Sequence, residues 1–551
     1  MFARAAAVVA TLTLGVASLG AQAPVLPAPA RTSATTTSRP ALVVLLVVDQ
    51  FRADYVERYG HAWTGGLKRL IDGGAYFRQA AYPYAATETC PGHTTVATGA
   101  LPATHGIVAN GWYDRVSKKS IVCTTDPVQP VAIGETAYES HGAKNLRATT
   151  LADELRVQQP GSAHIVSLSL KARAAIAMAG HGGDTVAWLE DSGDWATSST
   201  YAKTAPAAAA AFVKANPVDA DYGRVWNLLR PASTYTFADD GLAEQAPDGW
   251  TITFPHSLAR PGGPDRIYYD NWRRTPFGDE YLGKMAATLS KGLGKGPGTD
   301  MLAVSFSGVD YVGHRFGPNS IEIQDTLARL DITIGALLAS LDASIGRGRY
   351  VVALTGDHGV APIPEQQVAM GIDAGRITAG DIQTAIDDVL TKALGAGAHF
   401  MPGSTDSGNK ATDVYFTPEV LDKLSAQPQL RKAVVDAVMR SPSMARAIWA
   451  SELPQLNDAD ARALQASFNA DRNGDLLLIS KPYWIADSGG TGHGSAFGYD
   501  QRVPVVLMGT GIKPGHYDVA ITPADIAPTL AHLVGITLAH ADGRVLGEVV
   551  K

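Results

Sequence analysis

Short, almost wholly apolar runs recur along the chain: ALVVLLVVD (41–49), HIVSLSL (164–170), DTVAWLE (184–190), MLAVSFSG (301–308), RYVVALTGDHG (349–359), DLLLISKPYWI (475–485) and VPVVLMGTGI (503–512). A strand with one wet face alternates apolar and polar residues. These runs do not, so they predict strands buried on both faces, as in a parallel sheet covered by helices. Helical spacing fills the gaps between them. In TGGLKRLIDGG (64–74) Leu67, Leu70 and Ile71 share one face, and Thr64 stands where a cap belongs. IEIQDTLARLDITIGALLASLDAS (321–344) predicts the longest helix and TPADIAPTLAHLVG (522–535) the last. Strands and helices in alternation predict an α/β fold with a doubly wound, mostly parallel central sheet and helices on both faces.

Two stretches break this rhythm. Residues 195–299 gather aromatic, Pro and Gly clusters, and residues 365–474 carry several amphipathic helices before the run at 475 resumes the core pattern. Both are expected to be insertions capping the sheet of a single catalytic domain over residues 41–551. The first 23 residues, MFARAAAVVATLTLGVASLGAQA, have a charged start, an apolar run and small residues at Ala21 and Ala23, the pattern of a secretory signal. Residues 24–40, rich in Pro, Ala, Ser and Thr, read as a disordered leader. No second stretch is long enough to span a bilayer. The expected location is the periplasm or outside the cell.

Charge narrows the partners. With 46 Lys and Arg against 53 Asp and Glu, the net charge of -7 argues against a broad nucleic-acid footprint, which needs a basic surface. An anionic ligand would have to meet local cations. The two cysteines, Cys90 and Cys123, match no zinc knuckle or CxxC pair, and sequence leaves open whether they are bridged.

Acidic residues and histidines sit where the apolar runs end. Asp49 closes the first run, Asp310 and His314 follow 301–308, Asp357 and His358 follow VVALTG, and His493 lies in GGTGHGSAFG. Ligands of open α/β sheets bind beyond the carboxyl ends of the strands, so these six residues are expected on one rim. Asp310 and His314 are four apart and share a face if helical; the glycines around Asp357-His358 let both turn inward. Three carboxylates and three imidazoles make an O/N donor set that zinc accepts, enough for two Zn2+ ions. The other histidines are read as structural; for His93 and His105, near residues 87–99, a site role stays open, with the structural reading preferred.

Residues 87–99, TETCPGHTTVATG, hold three candidate nucleophiles, Thr87, Thr89 and Cys90. Thr89, just before Cys90-Pro91, would stand at a helix N-terminus, where amide N–H groups and the helix dipole favour an anion. In HIVSLSLKAR, Lys171 and Arg173 are two apart at the end of an apolar run. On an extended backbone they would point the same way and hold phosphate oxygens.

VVDQFRADY around Asp49, ETCPGHTTVATG around Thr89, PATHGIVANGWYD, DYVGHRFGP, TGDHG and TGHGS, in that order, resemble the alkaline phosphatase superfamily, in its branch with a threonine nucleophile. The resemblance covers nearly the whole chain beyond the leader. It implies one zinc held by Asp310, His314 and His493, the other by Asp49, Asp357 and His358, and a Thr89 oxygen at the metal. It also implies that Asn110, in HGIVANGW, donates to a phosphoryl oxygen. Asn110 together with Lys171 and Arg173 is similar to the bacterial periplasmic alkaline phosphatases, such as those of sphingomonads. The implied activity is hydrolysis of small phosphate monoesters through a phosphothreonine. The alternative is a nucleotide pyrophosphatase/phosphodiesterase of the same superfamily, in which the Lys-x-Arg pair is commonly missing. A sulfatase is disfavoured because Cys90 lacks the C-x-P-x-R context of a formylglycine precursor.

Overall fold

The computed structural model describes residues 39–402 and 412–551. The signal and nearly all of the leader lie outside the described residues. Ten strands form the main sheet: β1 (Leu42–Val48), β2 (Ala75–Phe77), β3 (Pro130–Ala132), β4 (Ile165–Ser169), β5 (Thr185–Leu189), β6 (Trp195–Ser198), β7 (Asp300–Phe306), β8 (Tyr350–Gly356), β9 (Val505–Gly509) and β10 (Gly515–Tyr517). Their spatial order is β10-β2-β9-β8-β1-β7-β4-β5-β6-β3. Only β6 and β9 run against the others, so five consecutive parallel strands, β8-β1-β7-β4-β5, make the centre.

The unbroken apolar character of β1 has a direct cause. Leu42, Val44, Leu46 and Val48 enter one core, shared with α1 (Gly66–Gly73) and two helices that follow later in the chain. Val43, Leu45 and Val47 enter a second core on the opposite face, with side chains from α2 (Thr89–Thr98) and α3 (Leu151–Gln158). The later helices are α5 (Pro276–Leu289) and α7 (Ile321–Ser344), on the first face; α8 (Ile526–Leu533) closes the second. Between them in the chain come α4 (Ala172–Ala179), after β4, and α6 (Gly308–Phe316), after β7. Helix α7 starts on a Ser320 cap and buries Leu327, Leu330, Ile334, Leu337, Leu338 and Leu341. Each such side chain stabilises the fold by about 1.5–3 kcal/mol. Among the described residues no helix is long and apolar enough to cross a membrane.

Four expectations need correction. The run at 475 does not rejoin the main sheet: Leu476–Ser480 is the middle strand of a separate antiparallel sheet with Asp413–Val414 and Met444–Trp449. It looked like a central strand because Leu476 and Leu478 face one apolar cluster and Leu477 and Ile479 another. The inserted lobe therefore extends past residue 474. The first insertion is narrower than 195–299, since β6 belongs to the main sheet and α5 packs in its core. Finally, Thr64 does not cap α1. The Asp331 carboxylate of α7 does, accepting from the backbone N–H groups of Thr64 (2.7 Å), Gly65 (2.6 Å) and Lys68 (3.1 Å).

Candidate active site

Register brings the site residues abreast. Val48 pairs with Phe306 on one side and Gly356 on the other, so Asp49 leaves β1 at the level where Asp357 leaves β8 and where α6 begins after β7. Lys171 follows β4, whose Ser169 pairs with Ser305. Asp49, Asp357, Asp310 and Lys171 thus hang from the carboxyl ends of four adjacent parallel strands. Asp310 and His314 lie one turn apart on α6, as their spacing predicts, with Asp310 Oδ1 3.1 Å from His314 Nε2.

His493 arrives differently from the sequence expectation. It is carried by the loop between the inserted lobe and β9, where its Nδ1 meets the Thr87 carbonyl at 2.9 Å. Its ring stacks on that of His358 with centroids 3.6 Å apart, and its Nε2 is 3.8 Å from Asp310 Oδ1. The His358 Nε2 lies 3.4 Å from both Asp49 Oδ1 and Asp357 Oδ2. All six expected ligands therefore converge. Two tight groupings stand out: Asp310, His314 and His493, and Asp49, Asp310 and His358. Asp357 flanks the second through its contact with His358.

The outer nitrogens of the three imidazoles are all occupied by carbonyl oxygens. His314 Nδ1 faces Thr491 O (2.8 Å), His358 Nδ1 faces Gly359 O (2.8 Å) and His493 Nδ1 faces Thr87 O. For His358 and His493, donation outward from Nδ1 leaves Nε2 as a lone pair turned into the site, the tautomer a metal requires. Burial opposes a charge on His314, but Asp310, 3.1 Å from its Nε2, outweighs it and raises its pKa, so a metal would displace that proton. Burial also lowers the basicity of His358 and His493, for His493 reinforced by the neighbouring imidazoles, so both are held neutral. Among the described residues, Asp49 Oδ1, His358 Nε2 and Thr89 Oγ1 are buried with no hydrogen-bond partner, and Asp357 Oδ2 meets only the His93 imidazole, 3.0 Å away. Orphaned ligand atoms on Asp49 and His358, 3.4 Å apart, fit a cation, because a buried polar group left unpaired is costly. Burial, with Asp310 and Asp357 close by, pushes Asp49 well above the carboxylate range. Burial opposes ionisation of Asp310 too, but Lys171 and His314 overcome it and hold Asp310 well below that range. The donors are carboxylate and imidazole, the set suited to zinc.

Thr89 opens α2, its N-cap being Glu88 in extended conformation. Helix α2 approaches the end of β8 so closely that a Cβ on Gly92 would stand 2.2 Å from the Asp357 carbonyl oxygen, so only glycine fits there. Thr87 turns away, its hydroxyl donating to Ser495 O at 2.8 Å. Cys90 is disulfide-bonded to Cys123, which answers the question sequence left open and removes Cys90 as a nucleophile or formylglycine precursor.

Lys171 and Arg173 do not share an extended strand. Lys171 is the N-cap of α4 and Arg173 lies in its first turn, because the chain turns helical directly after β4. Lys171 Nζ bridges Asp49 Oδ2 (2.7 Å) and Asp310 Oδ2 and sits 4.8 Å from the Tyr311 ring centroid. Burial disfavours that ammonium, but Asp310 and Asp49 outweigh burial and raise its pKa. Arg173 Nε has no partner among the described residues. Lys171 and Arg173 line, with Asn110, Tyr311, Arg273 and His141, a cavity of about 300 Å³.

Several residues escaped sequence reasoning. Gln50, buried at φ 68°, donates its backbone N–H to Asp357 Oδ1 (3.0 Å) and its side-chain amide to Asp310 Oδ1 (2.9 Å). A non-glycine residue held in the left-handed region is strained, which fits a residue clamped between two site carboxylates. Asp279 accepts from the N–H groups of Ser307 and Gly308 and so fixes the start of α6. Asp279 carries no periodic or motif signal, and Gln50, though inside VVDQFRADY, has nothing in the sequence to set it apart as a site residue. His93, read as structural, is buried with Nε2 2.7 Å from Ser305 Oγ and Nδ1 2.9 Å from Thr89 O and 3.0 Å from Asp357 Oδ2. It packs as expected, yet what it packs is the site itself. His105, also read as structural, is buried against Thr95 of α2.

Comparison with known proteins agrees with this architecture. Residues 43–500 match the family described as type I phosphodiesterase / nucleotide pyrophosphatase. Alkaline phosphatase PafA of Elizabethkingia meningoseptica is 34% identical over 535 residues, covering 93% of this chain and 95% of that one. Alkaline phosphatase PhoK of a Sphingomonas species is 31% identical over 548 residues, covering 93% and 91%. The crystal structure of wild-type PafA superposes with a TM-score of 0.84 at 32% identity, over 93% of this chain and 99% of that chain. A PafA variant substituted at a threonine, an asparagine, a lysine and an arginine superposes with a TM-score of 0.85. Murine ectonucleotide pyrophosphatase / phosphodiesterase 5 shares the fold, with a TM-score of 0.54 at 14% identity. The chain belongs to the type I phosphodiesterase / nucleotide pyrophosphatase family.

Proposed function

We propose that this protein is a metal-dependent alkaline phosphatase that hydrolyses small phosphate monoesters to an alcohol and inorganic phosphate. The observation that carries the reading is a juxtaposition. The start of α2, where Thr89 has a buried, unpartnered hydroxyl, is joined to the end of β8 by His93, which meets both Thr89 O and Asp357 Oδ2. Asp49 Oδ1 and His358 Nε2 are unpartnered, and Lys171, which shares a cavity with Arg173, reaches Asp49. Asp310, His314 and His493 would hold one zinc, and Asp49, Asp357 and His358 the other, with Thr89 at the metal. Bound zinc supplies Lewis-acid charge to the attacking and leaving oxygens of an in-line displacement.

Thr89 gives its proton to solvent and its Oγ1 bonds to phosphorus as the ester P–O bond breaks; the departing alkoxide takes a proton from solvent and leaves as the alcohol. Water then attacks phosphorus, the Thr89 O–P bond breaks and inorganic phosphate leaves. Asn110 Oδ1 already accepts from Cys90 N–H, which leaves its amino group to donate to a phosphoryl oxygen. Lys171 and Arg173 meet oxygens of a monoester dianion. Threonine, asparagine, lysine and arginine, the last two separated by one residue, are also the four residue types substituted together in the PafA variant. The Cys90–Cys123 disulfide supports an oxidising location, the periplasm or outside the cell.

The family description favours a second reading, a phosphodiesterase. Against it stands the Lys171–Arg173 pair, since a diester carries one negative charge fewer and an extra substituent. Hydrolysis of p-nitrophenyl phosphate set against bis(p-nitrophenyl) phosphate, before and after chelation and zinc restoration, tests the proposal. Faster turnover of the diester, or full activity after complete metal removal, would overturn it.

A further inference from the structure

Asn110 is held from three directions. Its backbone N–H donates to Glu88 Oε2 at 2.6 Å, its carbonyl accepts from Cys123 N–H at 2.9 Å, and its side-chain Oδ1 accepts from Cys90 N–H at 2.8 Å. Two of those three partners, Cys90 and Cys123, are covalently joined, with Cα atoms 6.5 Å apart across a sequence separation of 33. The third, Glu88, is the N-cap residue of α2, immediately before Thr89. The disulfide and the Glu88 contact thus close a ring around Asn110 whose other side is the start of the nucleophile helix.

We propose that the Cys90–Cys123 disulfide and the Glu88 carboxyl are positioning devices for Asn110, fixing its amino group against the phosphoryl oxygen while Thr89 attacks. The inference rests on the phosphatase reading and adds residues to it. The physical logic is that of Asn110's own setting. It stands where the chain leaves α2 and its following loop for a two-stranded hairpin, Gly111–Asp114 and Lys119–Val122. That hairpin is not part of the main sheet. The hairpin's other fixings run to the inserted lobe, Tyr113 packing on Tyr415 and Arg115 pairing with Asp475 at 2.9 Å, so without the tie Asn110 would follow that lobe rather than Thr89. The bridge anchors the far end of the hairpin, at Cys123, to the residue following Thr89. It packs with Ile107, Val108, Trp112 and Leu146 in a small apolar cluster of its own. Because Cys90 N–H fixes Oδ1, the amide cannot flip, and its amino group keeps one direction. A donor preorganised in this way costs no reorganisation when charge develops on phosphorus, and small displacements of a positioned group are expensive in rate.

A purely stabilising disulfide would act independently of Asn110, so the test is a double-mutant cycle. Inorganic phosphate binding to the zinc-loaded protein is measured by calorimetry, alongside kcat/KM for p-nitrophenyl phosphate and zinc content. Asn110→Ala is introduced both into the wild type and into the Cys90→Ala/Cys123→Ala background. Asn110→Ala alone is expected to lower kcat/KM on the order of 10²-fold. The double cysteine variant should lose about tenfold or more through misplacement, with zinc content unchanged. In that background Asn110→Ala should then cost no more than about threefold further, since coupled residues are non-additive. The phosphate affinities should follow the same pattern. Equal factors in both backgrounds would overturn the inference. Should the cysteine variant fail to fold, Glu88→Ala and Asn110→Ala form the same cycle, and Glu88→Gln, which keeps an oxygen in reach of Asn110 N–H, should restore most of the loss. Additivity there, or no rescue by Gln, would likewise overturn it. A wild type that neither binds phosphate nor hydrolyses the monoester would overturn the phosphatase reading itself, a result distinct from intact binding with additive variants.

Discussion

Lys171 Nζ stands 2.7 Å from Asp49 Oδ2 and donates on its other side to Asp310, so a single ammonium ties the carboxyl end of β1 to α6 and to its own position after β4. Its neighbour on α4, Arg173, lines the same cavity with an unpartnered Nε. Replacing Lys171 and Arg173 together by Ala should lower monoester kcat/KM by on the order of 10²-fold or more. Diester kcat/KM should fall much less, because a diester presents one charge fewer to the pair. Paired kinetics on p-nitrophenyl phosphate and bis(p-nitrophenyl) phosphate check this. An equal fall on both substrates would assign the pair to support of Asp49 and Asp310 rather than to substrate choice.

Thr89→Ala should abolish turnover and leave zinc content near normal, because the hydroxyl is one donor among many while no other side chain can carry the phosphoryl group. Thr89→Ser keeps the hydroxyl and should retain part of the activity. Thr87, already committed to Ser495 O, should tolerate Ala or Ser better. Single-turnover labelling with a slow monoester would reveal the phosphothreonine, and a fully active Ala variant would remove Thr89 from the mechanism.

His493→Ala and Asp357→Ala should each lose metal and activity together, read by elemental analysis beside the assay. Metal binding requires deprotonated ligands. Burial, reinforced by the neighbouring imidazoles, already holds His493 well below the ordinary histidine range, so no proton competes at its nitrogen near neutrality. At His314 burial is outweighed by Asp310, which raises its pKa, and there a proton does compete. Activity lost with both ions still bound would count against ligation.

Much of this site was legible because two simple regularities coincide in it. Strands apolar on both faces declare a covered parallel sheet, and the polar residue after each such strand lands on one rim. Asp49, Asp310 and Asp357 follow that logic. Where a residue's role depends on packing between distant segments, the pattern carries no trace. Leu476–Ser480 is as apolar as β1 yet belongs to the inserted lobe, since two small cores sandwich it just as two large ones sandwich β1. Gln50 looks like any polar residue after a strand, and only its φ of 68° and its two carboxylate partners reveal the clamp. The Lys-x-Arg pair was found by type, but its geometry was misjudged because the strand-to-helix switch after Ser169 has no breaker residue to announce it.

Asp331 illustrates the same blindness and offers a stability test. Its buried carboxylate takes three backbone N–H groups at the start of α1, a helix with no side-chain cap of its own. Asp331→Ala should lower unfolding free energy by on the order of 2–3 kcal/mol, because buried donors are left unmade. Asp331→Asn should recover part of this, and neither should alter kcat on a folded sample. Urea denaturation is the measurement; a loss below about 0.5 kcal/mol, the size of an ordinary surface change, would show that water caps the helix equally well.

The last expectation concerns pH. Glu322, fully buried at the start of α7, has Oε1 3.2 Å from His256 Nε2, and the His256 ring stacks on Trp250 with centroids 4.7 Å apart. Burial pushes Glu322 up to about 9, Glu244 adding to the effect, and the same burial takes His256 down to about 4. The pair is therefore two neutral groups sharing a hydrogen bond near neutrality rather than an ion pair. Glu322 ionises near 4.5 once unfolded, so its folded pKa is the raised one. Its contribution is fully present below about pH 4.5 and is lost as pH rises to about 9, because over that window the unfolded chain releases a proton the folded chain keeps. Glu322→Gln stays neutral throughout and can still hydrogen-bond His256. The variant should gain on the wild type steadily across the window, by a total of about a few kcal/mol, and the gain should level off above it. Denaturation curves of both zinc-loaded proteins at pH 5, 7 and 9 would be compared as differences, so that the pH dependence of metal binding, common to both, cancels. A constant difference, or one that favours the wild type as pH rises, would mean that Glu322 is ionised against a protonated His256. With the expected sign, the chain carries an acid that destabilises it increasingly as pH rises, and Glu322 becomes the first position at which to raise its stability at alkaline pH without touching the active site.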